Sequence, residues 1–332
     1  MKAKTFTLLI GMCTLAFSSL QTAWAANTSP RVGLIYSTGS PEKASLHAML
    51  FDAFRAGLLD LGYVEGKNIL IERRYAEGRL DRMPALVNDL VQEKVDVIFA
   101  VNNVVIRAAK AATKTIPIVM LSTVDPVAAG YVKSFAHPGG NITGLAWLSR
   151  DLSAKRVELL KELLPKVARV GVLWDADGPG PAVAVKEYTT AAKSFRLEFY
   201  SLEVRGPIPD IDGAFRKAKK AQLDALIVVA NPLMGQRSKE IFELTTKNRL
   251  PTMTEEGRYV QAGGLMSYGA NLADLYRRAA GYVAEILKGA NPGDLPVKLP
   301  SKFEVFVNLK TAQQIGIVIP QHVLVQADKV IK

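Results

Sequence analysis

The chain has one cysteine in 332 residues, and this residue, Cys13, lies in an N-terminal stretch that we expect to be removed. The mature protein would then have no cysteine, which excludes disulfide bonds, thiolate catalysis and cysteine-based metal sites. Histidine is also scarce: His47, His137 and His322 are isolated in sequence and show no ligand spacing. The sequence therefore predicts no metal site.

Motifs for covalent or nucleotide chemistry are missing as well. No G-x-S-x-G of a hydrolase occurs, and no G-x-G-x-x-G follows the first strand-like run, as a nicotinamide enzyme would require. Ser40 begins an S-x-x-K sequence, but the S-D-N and K-T-G of penicillin-binding enzymes do not occur, so we interpret Ser40 as a helix cap. The segment GYVEGKN at Gly62 differs from a P-loop in spacing and in its last residue. We expect that this chain is not an enzyme, binds no cofactor and does not hydrolyse ATP.

The apolar run at the N-terminus is too short for a membrane span, and no later run is long enough either. Lys2 and Lys4 precede this uncharged run, and Ala23-Trp24-Ala25 has the small residues of a signal-peptidase site. We predict a signal peptide over 1–25 and an exported, soluble, periplasmic protein. Cleavage would leave 332 − 25 = 307 residues, a length that suits two domains.

Acidic residues are outnumbered, with 31 Asp and Glu against 42 Lys and Arg, which gives a net charge of +11. The basic pairs, such as Arg73-Arg74 and Lys219-Lys220, are scattered and are not interleaved with aromatic residues. This distribution is typical of solvated helix faces, so we expect no nucleic-acid partner.

Short apolar runs that alternate with amphipathic helical stretches are the main feature that the sequence does have. RVGLIY at Arg31 to Tyr36 and VDVIFAV at Val95 to Val101 are typical of buried strands. Apolar strands separated by helices predict an α/β fold with a parallel sheet covered on both faces.

This pattern occurs twice along the chain. The matching segments are RVGLIY at Arg31 and RVGVLW at Arg169, VDVIFAV at Val95 and LDALIVVA at Leu223, and TKTIPIVM at Thr113 and TKNRLPTM at Thr246. Because all three pairs keep the same order, the sequence predicts two lobes of the same topology.

Glycine and proline mark three breaks in the pattern: HPGGNITG at 137–144, Gly263-Gly264, and Asn291-Pro292-Gly293. We interpret them as three crossings between the lobes, although 137–144 could also be an ordinary turn before an edge strand. The predicted lobes are 26–144 plus 270–293, and 145–269 plus 294–332.

Ligands of open parallel sheets bind at the carboxyl ends of the strands, so two facing lobes would enclose a cleft lined by residues that follow the strands. The predicted ligand-binding residues of the first half are Tyr36, Ser37, Thr38, Asn102, Asn103, Thr123, Asp125 and Trp147. Those of the second half are Trp174, Asp175, Asn231, Glu255 and Tyr268.

The chemistry of this set favours a zwitterion with an apolar or aromatic side chain. Hydroxyls, amides and backbone N–H groups at helix starts suit a carboxylate. Asp125, Asp175 and Glu255 could hold an ammonium group, and the aromatic residues offer flat apolar walls. We therefore predict an amino acid or a close relative as the ligand.

Structural alternatives stay open for these residues. Asp125 and Asn231 each precede a proline and could only cap the next helix. Asn102 and Asn103 could only start a helix, and the aromatic residues could belong to the core.

Longer segments carry a family resemblance over nearly all of the mature chain. They are RVGLIYSTGSPE, GLLDLGYVEGKNILIERRYAEG, TKTIPIVM, DPVAAGYVKSFAHPGGNITG, KRVELLKELLPKVARVGVLW, QAGGLMSYGANLADLYRRAA and PVKLPSKFEVFVNLKTAQQIG. The chain resembles the substrate-binding components of ABC transporters, in the family related to tryptophan- and tyrosine-type binding proteins.

The resemblance implies a type I periplasmic-binding fold with two Rossmann-like lobes, three hinge crossings and a cleft that closes on its ligand. It also implies a monomer that delivers a small solute to an ABC permease powered by a separate ATPase subunit. Two places depart from the expected pattern: Asn102-Asn103-Val104-Val105 replaces G-T-P-A-A, and Asp175-Ala176 replaces N-P. Both border the predicted cleft, so the ligand could differ from that of better-known relatives.

Three functions remain open at this point. The leading hypothesis is a transport receptor for an amino-acid-like solute. The alternatives are a ligand-sensing subunit of a membrane signalling system and an exported enzyme, for which no nucleophile–base set is present in the sequence.

Overall fold

A computed structural model describes residues 29–36, 46–148, 152–177, 179–206 and 208–332. The predicted signal peptide and the predicted ligand residues Ser37 and Thr38 lie outside these ranges. Within them, no helix has both the length and the apolar character needed to cross a membrane.

The first half of the chain forms a five-stranded sheet in the order β2-β1-β3-β4-β5. Its strands are β1 (Arg31–Tyr36), β2 (Leu70–Tyr75), β3 (Val97–Val101), β4 (Ile118–Ser122) and β5 (Ile142–Ala146). All neighbouring strands are parallel. Strands β3, β4 and β5 are buried almost throughout, as their apolar sequences predict.

The second half forms a seven-stranded sheet in the order β12-β11-β10-β9-β8-β6-β7. Its strands are β6 (Arg169–Asp175), β7 (Glu198–Val204), β8 (Ala225–Val228), β9 (Thr252–Thr254), β10 (Met266–Ala270), β11 (Phe303–Asn308) and β12 (Lys329–Ile331). The order β7-β6-β8-β9-β10 reproduces the order β2-β1-β3-β4-β5. The doubled pattern of the sequence therefore corresponds to a doubled sheet topology.

One strand of the second sheet departs from the predicted parallel arrangement, because β11 runs antiparallel to β10. The chain returns to this sheet at the end where β10 finishes, and the Asn271 backbone N–H donates to the Lys302 carbonyl over 3.0 Å. A strand that starts at this end has to run back along β10, so its direction is reversed.

Twelve helices cover the sheets in the part of the chain that the structure describes. They are α1 (Leu46–Asp60), α2 (Met83–Gln92), α3 (Asn103–Ala112), α4 (Ser153–Leu163), α5 (Pro179–Ser194), α6 (Ile211–Lys220), α7 (Pro232–Gln236), α8 (Ser238–Lys247), α9 (Gly257–Gln261), α10 (Leu272–Leu287), α11 (Leu309–Ile315) and α12 (Gln321–Gln326). We call the first sheet with α1–α3 and α10 the first lobe, and the second sheet with the other helices the second lobe.

Apolar layers lie on both faces of each sheet. In the first lobe, Phe54 of α1 stacks on Phe99 of β3 with ring centroids 4.8 Å apart, and Tyr276 of α10 meets Phe99 edge-on at 5.5 Å. Helix α10 thus packs beside α1, although it follows the strands of the second lobe in sequence. A Cβ atom at Gly57 would lie 2.7 Å from the Arg277 carbonyl oxygen, so a glycine is needed for this close approach.

The chain passes between the sheets three times: after β5, between β10 and α10, and before β11. Before the third passage it lies beside β5, where Lys298 exchanges backbone hydrogen bonds with Gly144 and Ala146 at 3.1 and 3.0 Å. Strand β5, which spans the predicted lobe boundary at residue 144, is an edge strand of the first sheet.

Candidate functional site

Tyr36 ends β1 at the carboxyl edge of the first sheet. Its ring is buried, stacks on Tyr75 with centroids 5.3 Å apart, and meets the His47 ring edge-on at 6.3 Å. Burial, with a further contribution from Tyr75, raises the pKa of the Tyr36 hydroxyl, so this group stays protonated at neutral pH. The hydroxyl oxygen is buried and has no hydrogen-bond partner among the described residues.

Trp147 directly follows β5 and belongs to the same apolar cluster as Tyr36. Its backbone N–H donates to the Ser122 carbonyl over 2.6 Å, which fixes the residue beside the end of β4. The indole nitrogen is buried and, within the part of the chain that the structure describes, has no acceptor. An unsatisfied buried polar group costs about 1–3 kcal/mol, so two such groups at strand ends of the same sheet suggest that a polar partner binds along this edge.

The amides after β3 connect the ends of two strands. Asn102 has a left-handed φ of 73°, and its side chain accepts the backbone N–H groups of Val104 and Val105 as the cap of α3. The Asn103 Nδ2 atom donates to the Thr123 hydroxyl over 2.7 Å. The structure brings Asn103 and Thr123 into contact, and Asn102 has the capping role that the sequence left open.

Asp125 and Asn231 both accept hydrogen bonds from the backbone that follows them, but only Asn231 precedes a helix, since 126–130 form a turn. One Asp125 oxygen accepts the backbone N–H groups of Val127 and Ala128 at 2.8 and 3.1 Å. Asn231 caps α7 through the Met234 N–H at 2.7 Å, and its Nδ2 atom donates to Asp175 over 3.0 Å.

Two predicted aromatic residues of the second lobe pack against its apolar core. The Trp174 indole N–H donates to the Ser201 hydroxyl over 2.8 Å. Tyr268 stacks on Phe303 with centroids 5.9 Å apart. Both side chains are only partly buried, so each keeps an exposed portion.

The carboxylate of Glu255 is buried and takes part in a hydrogen-bond network inside the second lobe. One oxygen accepts from the Arg156 Nη1 atom at 3.2 Å and from the Tyr188 hydroxyl at 2.8 Å, and the other accepts the Ala230 N–H at 3.0 Å. The Arg156 Nε atom also donates to the Tyr268 carbonyl over 2.7 Å. This network ties α4, which follows the first crossing, to β10, which precedes the second.

Arg156 and Tyr188 were not among the residues predicted from the sequence. A signal for Arg156 was present, because it shares the apolar face of α4 with Leu160 and Leu163. A basic residue at such a position needs a buried anionic partner.

A second charged group, Glu256 and Arg258, lies where β9 leads into α9. The Arg258 Nε atom donates to a Glu256 carboxylate oxygen, and its Nη2 atom donates to the Tyr259 hydroxyl over 3.3 Å. The guanidinium carbon lies 4.7 Å from the centre of the Tyr259 ring. The Glu256 side chain is 11% exposed and that of Arg258 is 29% exposed.

The charges of Glu256 and Arg258 affect the pKa of residues in the first lobe. Burial lowers the pKa of His47, the positive charge of Arg258 lowers it further, and Glu256 opposes this change. Burial also raises the pKa of Tyr276, and Tyr36 and Glu256 raise it further. The pair therefore lies close enough to the first lobe for its charges to affect the pKa of His47 and, through Glu256, of Tyr276.

Metal-binding groups and surface grooves among the described residues would be other possible sites. No group of three His, Cys, Asp or Glu side chains in these ranges could hold a metal ion. A surface groove of about 280 Å³ is lined by residues such as Arg55 and Tyr63, and a second groove of about 360 Å³ by residues such as Phe215 and Arg249. Neither groove contains a predicted ligand residue.

Two α/β lobes with repeated strand order and three crossings define a type I periplasmic-binding architecture. The chain matches the family model described as ABC transporter substrate binding protein over residues 42–331, and it belongs to that family. The family consists of substrate-binding proteins and not of enzymes.

The chain is similar to one characterised sequence relative and to solved structures of the same fold. A tyrosine-binding protein of Clostridioides difficile strain R20291 is 31% identical over 265 residues, which are 78% of this chain and 74% of the relative. A conserved domain protein of Vibrio cholerae has a solved structure with a TM-score of 0.79 and 29% identity, over 91% of this chain and 100% of that chain. A Streptococcus pneumoniae ABC domain in complex with L-Trp has the same fold, with a TM-score of 0.79 and 24% identity over 92% and 100% of the two chains.

Proposed function

We propose that this protein is an exported receptor that captures one amino-acid-like solute between its lobes and delivers it to an ABC permease driven by a separate ATPase subunit. The observation that carries this proposal is the pair of buried polar atoms that have no partner among the described residues, the Tyr36 hydroxyl and the Trp147 indole nitrogen. Both belong to the apolar layer at the strand ends of the first lobe, and we call Tyr36, Tyr75 and Trp147 of this layer the aromatic cluster. A ligand bound there would supply the missing hydrogen bonds.

An aromatic or apolar side chain is the ligand group that this cluster fits best. The rings of Tyr36, Tyr75 and Trp147 provide flat apolar surfaces on which another ring can stack. The names of two relatives agree with this choice, since one is a tyrosine-binding protein and the other was crystallised with L-Trp.

The mechanism is binding followed by hinge closure, without a covalent step. The predicted lobes, 26–144 plus 270–293 and 145–269 plus 294–332, would rotate about the three passages between the sheets. A ligand that contacts both lobes stabilises the closed form, because only this form makes both sets of contacts.

A binding screen tests the ligand class. The mature protein would be unfolded, stripped of ligand and refolded, and its thermal unfolding and calorimetric titration recorded with amino acids, small organic acids and sugars. We expect saturable one-to-one binding of L-Trp or L-Tyr and a rise in Tm that grows with ligand concentration. Saturable binding of a sugar, with no amino acid bound, would contradict the proposed ligand.

Uptake measurements test delivery. Cells that lack this chain should lose high-affinity uptake of the bound solute and recover it when the wild-type gene is restored. Unchanged uptake together with loss of a response to the solute would instead indicate a sensor subunit.

A further inference from the structure

We propose that Glu256 and Arg258 recognise the zwitterion of the ligand, with the Glu256 carboxylate binding the ammonium group and the Arg258 guanidinium binding the carboxylate. This inference rests on the proposed function, because it requires an amino-acid-like ligand. It assigns the charge recognition to the second lobe and the side-chain recognition to the first.

The other carboxylates at the strand ends of the second lobe are occupied by contacts within that lobe. Both oxygens of Glu255 accept hydrogen bonds from Arg156, Tyr188 and Ala230. Asp175 accepts from Asn231 on one oxygen and from the Asp177 backbone N–H on the other.

Glu256 is engaged through one oxygen only. Its Oε2 atom accepts from Arg258, and no hydrogen bond from a described residue reaches Oε1. A carboxylate that is 11% exposed and keeps one oxygen available has both the charge and the access to bind an ammonium group.

Arg258 is held in a fixed position for carboxylate binding. Its Nε atom donates to Glu256, its Nη2 atom donates to the Tyr259 hydroxyl over 3.3 Å, and its guanidinium lies over the Tyr259 ring. The third nitrogen, Nη1, lies 3.0 Å from the place where a Cβ atom of Gly235 would be, so the glycine in α7 leaves room for the guanidinium. Because a planar fork fixed in this way loses little entropy on binding, it suits the two oxygens of a carboxylate.

The charged pair is also close enough to the first lobe to act on a residue that contacts the Tyr36 ring. Arg258 and Glu256 act electrostatically on His47, which touches the Tyr36 ring edge-on at 6.3 Å. A zwitterion with its ring on the first lobe can therefore present its charged groups to the second. Partial burial of both side chains strengthens these interactions relative to those of surface charges.

Ligand analogues that lack one charge separate the two roles. Calorimetry would compare L-Trp with tryptamine, which has no carboxylate, and with indole-3-propionate, which has no ammonium group. If the wild type prefers L-Tyr, tyramine and 3-(4-hydroxyphenyl)propionate take their place. We expect Glu256→Gln to weaken binding of the amino acid by about tenfold or more and to leave the propionate unchanged.

Arg258→Gln should show the opposite selectivity. It should weaken binding of the amino acid and of the propionate by about tenfold or more and leave binding of the amine unchanged. Should Arg258→Gln fail to fold, Arg258→Lys keeps the charge without the planar fork and should still weaken both carboxylate ligands.

An exposed ion pair with the same spacing is the matched control. Arg205 and Glu203 of the second lobe are joined at 2.7 Å, with side chains 61% and 41% exposed. Glu203→Gln and Arg205→Gln should leave the affinities for all three ligands unchanged.

The result that would overturn the inference differs from the one that would overturn the proposed function. The pair does not recognise the charges if the wild type binds an amino acid and the folded Glu256 and Arg258 variants bind it with the same affinity. The same conclusion follows if these variants lose affinity equally for the amino acid, the amine and the propionate. If wild type binds no amino acid at all, the proposed function itself is wrong.

Discussion

Two buried polar atoms without partners among the described residues, both at strand ends of the first lobe, are the clearest residue-level sign of a ligand: the Tyr36 hydroxyl and the Trp147 indole nitrogen. The Tyr36 hydroxyl is such an atom, whereas the Tyr282 hydroxyl donates to the Pro296 carbonyl over 2.5 Å. Burial raises the pKa of Tyr282 to about 12, so both groups are neutral phenols and differ mainly in their hydrogen bonding.

Replacing each tyrosine by phenylalanine should separate binding from stability. Tyr36→Phe should keep or raise Tm, because it removes an unsatisfied buried group, and should weaken ligand binding by about tenfold. Tyr282→Phe should lower the free energy of unfolding by about 1 kcal/mol and leave affinity unchanged. Thermal unfolding and calorimetry on the same samples measure both; a Tyr36→Phe protein with lower Tm and wild-type affinity would make the hydroxyl a structural group.

Glu255 provides the second residue-level prediction, because its carboxylate faces the fully buried Arg156 guanidinium. Glu255→Gln should lower the free energy of unfolding by roughly 3–5 kcal/mol, since it removes the negative charge that accepts a hydrogen bond from the buried Arg156 guanidinium. Denaturant titration measures this loss. Glu203→Gln, which breaks an exposed pair, should cost less than about 1 kcal/mol. Equal stability of the two variants would show that Glu255 does not neutralise Arg156.

Individual residues were predictable from the sequence where their partners are local. Asp125 and Asn231 cap backbone groups two or three residues away, and both were recognised as possible caps. The network of Glu255 was not predictable, because Arg156 lies 99 positions from it in sequence. No local pattern indicates which distant side chain will reach a buried carboxylate.

Gly144 determines how closely two elements, β4 and β5, can approach. It has a φ of 132°, and a Cβ atom at this position would lie 2.3 Å from the Met120 carbonyl oxygen. Gly140, four residues earlier, has no atom within 4 Å of its Cβ position. These two glycines of HPGGNITG therefore have different structural roles.

Alanine substitution should distinguish these glycines. Gly144→Ala should lower the free energy of unfolding by at least about 2 kcal/mol, because it forces a backbone clash and a strained φ. Gly140→Ala should change it by less than about 0.5 kcal/mol. Denaturant unfolding of the two variants checks this difference, and a Gly144→Ala protein as stable as Gly140→Ala would show that β5 can shift away from β4 without cost.

Elements with long periodic sequences were predictable, whereas short ones were not. Helix α10 was predictable, because its apolar residues recur at helical spacing over 16 residues. Helices α7 and α9 have five residues each, which is too short for a periodic pattern. The reversed direction of β11 also could not be predicted, because it depends on where the third passage enters the sheet.

At the scale of the whole molecule, sequence repetition predicted the two-sheet architecture. The three matched segment pairs fall on β1 and β6, on β3 and β8, and on β4 and β9, which hold equivalent places in the two sheets. How the lobes face each other was not predictable, because it depends on backbone angles at the passages and on contacts between residues far apart in sequence.

Closure of the lobes on a ligand is the central claim, and small-angle X-ray scattering of the mature, ligand-stripped protein tests it most directly. The radius of gyration would be measured as L-Trp or L-Tyr is added to saturation, with calorimetry reporting occupancy in the same buffer. We predict a decrease in the radius of gyration that follows occupancy, because the ligand joins the aromatic cluster of one lobe to the charged pair of the other. A fully occupied protein whose scattering curve equals that of the stripped protein would contradict this account.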